Sequence, residues 1–162
     1  MLVVRYLALL ALVVWLGGMV ALGLLVAPAV FRELQAADPT GGRVLAGALF
    51  GAILRQFHLL AYACGAIIFV SFLVLKFVGP PPRGFIPRIS LVTAMLAVAA
   101  YSGVPVTREI ASIQAQVSGP VSSLPAADLR RMRFDRLHQL STSLMTANIA
   151  LGCVLLFWYV RE

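Results

Sequence analysis

The sequence has few charged residues and no long polar segment. Asp, Glu, Lys and Arg together make up 12% of the 162 residues, whereas 61% are hydrophobic. The mean hydropathy is +0.96, and the apolar runs are too long for the helices of a soluble core. This composition excludes a soluble globular domain and predicts an integral membrane protein.

Recognisable catalytic motifs are also missing. The chain contains no phosphate-binding loop, no nucleophile elbow, no HExxH zinc motif and no paired carboxylates within an apolar run. Its two cysteines, Cys64 and Cys153, lie in different apolar runs, at depths that differ by roughly a dozen ångströms at the helical rise. We therefore expect no disulfide and no enzymatic activity.

Four apolar runs are each long enough to cross a bilayer, which takes about 20 residues per helix. They cover Leu7–Val30, Phe57–Val78, Ile86–Val106 and Leu137–Val160. The remaining residues are too few for a second domain. The sequence thus predicts an all-α fold in which residues 1–162 form a single four-span membrane helix bundle.

Helical patterning continues beyond these spans on the side of the first and third loops. After the turn Asp38–Gly42, no helix breaker occurs before Gly79, which allows roughly 50 Å of helix against a hydrocarbon layer of about 30 Å. Helices two, three and four are therefore predicted to extend past the membrane on one side. The Pro80–Pro82 connection should be short, and Pro28 should kink the first helix.

The formal charge of +7 comes mainly from arginines at the ends of the spans. Anchoring beside lipid headgroups accounts for them, so lipid is the expected contact and no nucleic-acid partner is expected. Eight of the thirteen basic residues lie on the side of loops one and three, and five lie on the other side. We expect a bacterial inner-membrane protein with both termini outside.

Polar side chains interrupt the last apolar run. At 100° per residue, one side of that helix carries Arg131, Asp135, His138, Ser141, Thr142, Met145 and Asn148. Because polar groups are costly in hydrocarbon, this side is predicted to face other helices or a cavity.

The predicted topology brings these residues to the level of polar residues on other spans, near the face of loops one and three. The candidate pocket residues are Arg55, His58, Tyr62, Tyr101, Glu109, Asp135, His138, Ser141, Met145 and Asn148. Since a buried imidazole can ligate metal, His58 and His138 are candidate ligands of one soft metal ion. The residues alone also allow an interfacial role with capping and ion pairing, interhelical hydrogen bonding, or ligation of a haem or pigment.

Several segments resemble a known family. These are Trp15–Met19, Ala27–Phe31, Leu49–Phe50 upstream of His58, and Phe134–Ser141. They resemble the four-span family typified by animal transmembrane protein 205, domain of unknown function 4149, and the first is also similar to the copper-resistance D membrane domain. The family pattern has an asparagine four residues after the serine, where this chain has Met145 and carries Asn148 three residues later.

The resemblance implies a four-helix membrane protein without an established activity, whose animal relative is associated with platinum-drug resistance. It suggests an accessory in the transport or handling of soft metal ions or drugs. The alternative is a structural or cofactor-holding subunit, for haem or pigment, of a larger membrane complex. A homo-oligomer or such a complex is expected, with Gly47, Gly51 and the small residues of the first helix as candidate contacts.

Overall fold

A computed structural model describes residues 1–39, 41–78 and 84–161, and the regular elements within these ranges are all helical. Four of them are long and apolar enough to cross a membrane: α1 (Leu2–Ala37), α2 (Gly42–Val78), α3 (Phe85–Ala115) and α4 (Leu129–Val160). This confirms the all-α membrane bundle that the sequence predicts. The predicted short connection Pro80–Pro82 lies outside the described residues.

The helices are longer than a bilayer requires. The 37 residues of α2 correspond to about 55 Å of helix, compared with a hydrocarbon layer of about 30 Å. Val44–Gln56 belongs to the same continuous helix as the apolar span that follows it, as predicted. Helix α4 is likewise unbroken, and α1 continues to Ala37, past its predicted boundary at Val30.

Each helix packs against its neighbours in sequence, and α4 closes the bundle against α1. Helices α2 and α4 are therefore diagonal to each other. The core consists of large apolar side chains that are almost fully buried: Leu12, Trp15, Ile68, Phe72, Val92, Met95 and Leu155. Glycines permit close helix approach, since a Cβ at Gly65 would collide with Leu96. The two cysteines are free, as expected.

Two π-helical segments interrupt the α-helical bonding. One is Leu22–Val26, shortly before Pro28 in α1, and the other is Ser102–Val106, which contains Pro105 in α3. In both, the N–H that follows the segment donates to the carbonyl five residues earlier. Proline lacks an N–H and crowds the carbonyl four residues before it, and a wider turn accommodates both defects.

Polar contacts join α3 to both ends of α4. At the C-terminal end of α4, the buried Arg88 donates from Nη2 to the Trp158 carbonyl at 3.1 Å, and its guanidinium carbon lies 5.7 Å from the Tyr159 ring centroid. A guanidinium there satisfies a terminal carbonyl and complements the helix dipole. At the other end, Glu109 forms an ion pair with Arg133.

Helix α4 begins immediately after Asp128, which is its N-cap. The Asp128 carboxylate accepts hydrogen bonds from the Arg130 guanidinium Nη2 and from the Arg130 backbone N–H, each at 2.8 Å. The bond from the guanidinium is the larger of the two effects, and together they lower the pKa of Asp128 below its usual value. The charged carboxylate thus stabilises the first turn.

This cap predicts a pH dependence at the start of α4. Because the folded-state pKa is lowered, the stabilisation is present above the ordinary carboxyl pKa of about 3.9 and is lost as the pH falls through the lower folded value. We expect hydrogen-exchange protection of the first turn to drop below about pH 4 in the wild type. The Asp128→Asn variant keeps a capping oxygen without a titratable group, so its protection should not change with pH, and identical profiles would contradict this role.

Candidate functional site

His58 lies inside the bundle and not at its boundary. Its Nδ1 lies 2.8 Å from the Leu54 carbonyl oxygen. A carbonyl can only accept a hydrogen bond, so Nδ1 carries a proton, and in the neutral imidazole Nε2 has a lone pair that can accept a proton or bind a metal. The Cδ2 edge of the ring lies against Gly103 of α3, where an added Cβ would collide with both His58 and Tyr62.

Tyr62 accompanies His58 on the inner face of α2. The two ring centroids are 6.1 Å apart, and the Tyr62 hydroxyl donates to the Ala99 carbonyl oxygen at 3.3 Å. This bond links α2 to α3 just before the π segment of α3. The shared face predicted for His58 and Tyr62 is thus observed, whereas Arg55 is exposed.

Close contacts show which residues of α1 and α3 lie at the same depth along the bundle axis as His58. Gly103, which contacts the imidazole, directly follows Ser102 in α3. A Cβ at Gly18 would collide with the Phe57 ring. Met19 of α1, next to Gly18, therefore lies at the level of His58, which is next to Phe57.

Two further contacts set α1 against α4. Gly152 faces Leu16, and Gly23 faces the Met145 methyl group. Helices α1 and α4 are antiparallel. Halfway between these two contacts, Met19 of α1 and Asn148 of α4 therefore lie at the same depth.

All four helices therefore contribute a residue within about one helical turn of the same level. We call this set the buried polar layer: Met19, His58, Ser102 and Asn148, whose exposed fractions are 3%, 9%, 9% and 3%.

Two buried polar atoms near this level lack hydrogen-bond partners among the described residues. They are Asn148 Oδ1 and, one helical turn before Met19, Trp15 Nε1. An unsatisfied buried polar group costs about 1–3 kcal/mol, and a bound water, ion or small polar ligand would remove that cost. The layer thus combines a free imidazole nitrogen, a thioether and an unpaired carbonyl oxygen.

His138 does not belong to this layer. It lies on the exposed side of α4, on the helix diagonal to that of His58, and its ring stacks on Phe134 with centroids 6.2 Å apart. The two imidazoles therefore do not line one pocket, and the prediction of one metal ion or haem bound by both is contradicted within a single chain. Across the described residues, no three His, Cys, Asp or Glu side chains are placed to hold a metal ion. Single-histidine pigment binding stays a prediction.

The polar side predicted for α4 is divided between two faces. Ser141, Met145 and Asn148 are half-buried or buried, whereas Asp135, His138 and Thr142 are exposed. The prediction was that this side faces other helices or a cavity. Packing against other helices is observed for the first three, whereas the other three line an open surface of α4. From Asp135 to Asn148 these residues cover an arc of roughly 140° at 100° per residue, and neighbouring helices cover only part of it.

The other candidates at the predicted face do not join the layer. Tyr101 is exposed, and Glu109 is paired with Arg133. Asp135 has a loose ion pair with Arg131 of its own helix, at 3.9 Å.

Sequence reasoning missed Met19 and Ser102. A comparison of depths would have paired Met19 with Asn148, because each is near the middle of its predicted span. The level of Ser102 depends on how α3 is shifted along α2, and no pattern in the sequence carries that information.

Comparison with known proteins places the chain in a family. Residues 10–118 match the family model described as domain of unknown function (DUF4149), a region that contains three of the four layer residues. Neither the curated proteins nor the solved structures gave a match. Because the family model covers more than half of the sequence, the chain belongs to the DUF4149 family.

Proposed function

We propose that this protein binds a soft metal ion within its helix bundle and acts as an accessory in the transport or handling of such ions. The observation that carries the proposal is the buried polar layer, to which every helix contributes a residue within about one helical turn of the same level. An imidazole nitrogen from His58 and a thioether from Met19 are ligands that suit copper(I) and silver(I). Met145, one turn from Asn148, supplies a second thioether nearby.

Oxygen atoms in the layer compensate the charge of the ion. A cation in an apolar interior is costly unless polar groups replace its hydration shell. The unpaired Asn148 Oδ1 and the hydroxyl of the buried Ser102 are neutral groups that direct negative partial charge towards a cation. The similarity of Trp15–Met19 to the copper-resistance D domain and the resemblance to transmembrane protein 205 support the same class of ligand.

We further propose that the protein lies in the bacterial inner membrane, with loops one and three in the cytoplasm. The excess of basic residues on that side supports it. In this orientation the π segments of α1 and α3 precede the cytoplasmic ends of their helices.

Silver(I) titration of the purified full-length protein tests the proposal. Silver is stable in air and resembles copper(I) in its preference for nitrogen and sulfur ligands. We expect saturable binding to the wild type and, for His58→Ala, an affinity at least about tenfold weaker, because a tenfold loss needs only about 1.4 kcal/mol and a coordinate bond is worth more. His138→Ala is the matched control and should bind silver like the wild type.

A second variant separates ligand loss from a folding defect. Met19→Leu removes the thioether at nearly constant volume, which cores tolerate, and it should also weaken silver binding. Circular dichroism should show the same helix content in all variants. If the wild type does not bind silver, or if His58→Ala and His138→Ala bind it equally well, the proposal is wrong.

A further inference from the structure

Helix α4 presents polar and small side chains to the outside of the bundle. The exposed set, which we call the outer stripe, consists of Gln139, Thr142, Ser143, Thr146, Ala147 and Ala150. Asp135 and His138 continue it towards the N-terminal end of α4. The residues that line this surface all come from α4, so within the described structure no other helix covers it.

The outer stripe lies within the predicted span Leu137–Val160, which contains no charged residue. Helix α4 is also the least covered of the four helices. In its most apolar 18-residue segment, 17% of the residues are buried, compared with 28–39% in the other three helices. The span with the most polar outer face is thus the one that its own bundle shields least.

Hydrogen bonds within α4 satisfy only part of the outer stripe. The hydroxyls of Thr142, Ser143 and Thr146 donate to carbonyls four residues earlier at 3.0, 2.9 and 3.0 Å. These bonds satisfy the hydroxyl protons but leave the oxygens able to accept. The Gln139 carboxamide has no hydrogen bond to any described residue, and such a group is costly in contact with lipid.

Small side chains make the outer stripe suitable for close helix contact. Two rows with four-residue spacing run along it, Gln139–Ser143–Ala147 and Thr142–Thr146–Ala150. Rows of small residues at this spacing allow the backbones of two membrane helices to approach closely. The outer stripe therefore has both the shape and the hydrogen-bonding groups of a helix–helix interface.

We propose that the outer stripe binds a second copy of this chain, with the two α4 helices parallel about a twofold axis. A carboxamide both donates and accepts, so the two Gln139 side chains can exchange a pair of hydrogen bonds across such an axis. Charge is complementary as well: Asp135 is exposed on the same face, and the exposed Arg136 follows it, so a twofold rotation brings the carboxylate of one copy towards the guanidinium of the other. The inference does not depend on metal binding.

The native cysteines provide a direct test in membranes. Cys153 is exposed and lies two turns beyond Thr146 on the same side of α4, whereas Cys64 is buried. Copper(II)–phenanthroline with oxygen oxidises two thiols to a disulfide, and we expect a product with twice the 17.4 kDa mass of the chain. Cys153→Ser should abolish this product.

The matched control places a cysteine elsewhere at the same level. Gly65 of α2 and Gly152 of α4 both face the Met95–Leu96 turn, so the exposed Ile67 is near the level of Cys153. The variant Ile67→Cys in a Cys153→Ser background measures the crosslinking that arises from random collisions between chains in the membrane. It should give little disulfide-linked product.

Variants of the outer stripe itself complete the test. Ala150→Leu blocks close approach and Gln139→Leu removes the carboxamide. Each should reduce the crosslinked fraction roughly tenfold and shift the mass measured by light scattering in mild detergent to that of one chain. Ala66→Leu, an exposed site on α2, controls for added bulk and should leave both measurements unchanged.

Three results would each overturn the proposal. They are a wild-type chain that is monomeric by mass and does not crosslink through Cys153, equal crosslinking through Ile67→Cys, and a Cys153-dependent product that contains a different polypeptide. Silver titration and crosslinking are separate measurements, so failure of the dimer leaves the metal proposal standing.

Discussion

Replacing Gly103 with alanine is expected to destabilise the bundle by about 1–3 kcal/mol, the usual cost of overpacking, and to abolish strong silver binding. The added Cβ would collide with the imidazole of His58 and the hydroxyl of Tyr62. His58 cannot rotate away without losing the hydrogen bond from Nδ1 to the Leu54 carbonyl. Unfolding in a denaturing detergent series and silver titration of the same preparation measure the two effects.

Gly51→Ala is the matched control for this prediction. Gly51 is also a helical glycine, in α2, and no atom lies within 4 Å of the position that its Cβ would occupy. Alanine is favoured over glycine in a helix by up to about 1 kcal/mol, so this variant should be as stable as the wild type or more stable. If Gly103→Ala and Gly51→Ala were equally stable and both bound silver, the close approach of α3 to His58 would be contradicted.

Replacing Gly42 with alanine should have a still larger effect on stability, at least about 3 kcal/mol, which is rare for a single methyl group. A Cβ at Gly42 would collide with the backbone carbonyl of Leu34. That carbonyl accepts the Asp38 N–H at 3.0 Å at the end of α1. A backbone group cannot rotate away like a side chain, so the C-terminal end of α1 and the N-terminal end of α2 must move apart.

The effect of Gly42→Ala should appear as a lower thermal midpoint in detergent and as a smaller folded yield. Gly17→Ala in α1 serves as its control, because no atom lies within 4 Å of the new methyl group. A Gly42→Ala protein that melts like Gly17→Ala would contradict the close approach of Gly42 to the Leu34 carbonyl.

The architecture could be predicted because bilayer thickness is a fixed external length. An apolar run such as Phe57–Val78 is long enough to cross the bilayer, so it could be identified as a span. Because no helix breaker occurs before Gly79, the length of α2 could also be predicted. Pro28 also indicated a disturbance of the first helix, and the segment Leu22–Val26 forms a π turn shortly before it. The π turn at Pro105 was not predicted. These features depend on composition and on interactions between residues close in sequence, and both can be read from the sequence.

The candidate site was predicted only in part, because it depends on rotation and axial shift. His58 and Tyr62 were placed on one face by their spacing, and Asn148 was recognised as a deep polar residue. His138 was assigned to the same pocket because its depth is similar, but depth does not specify which way a side chain points. The rotation of α4 is set by contacts such as Gly152 against Leu16, and these cannot be read from spacing within α4.

The π turn in each of α1 and α3 changes the direction in which the side chains after it point, relative to those before it. Each such turn holds one residue more than the α-helical bonding would, so every side chain beyond it is rotated by about 100° relative to an uninterrupted helix. The additional residue between Ser102 and Val106 contributes to the rotation at which Glu109 pairs with Arg133 of α4. A deletion of one residue there would leave the apolar span intact and still turn the C-terminal end of α3, which carries Glu109, away from Arg133.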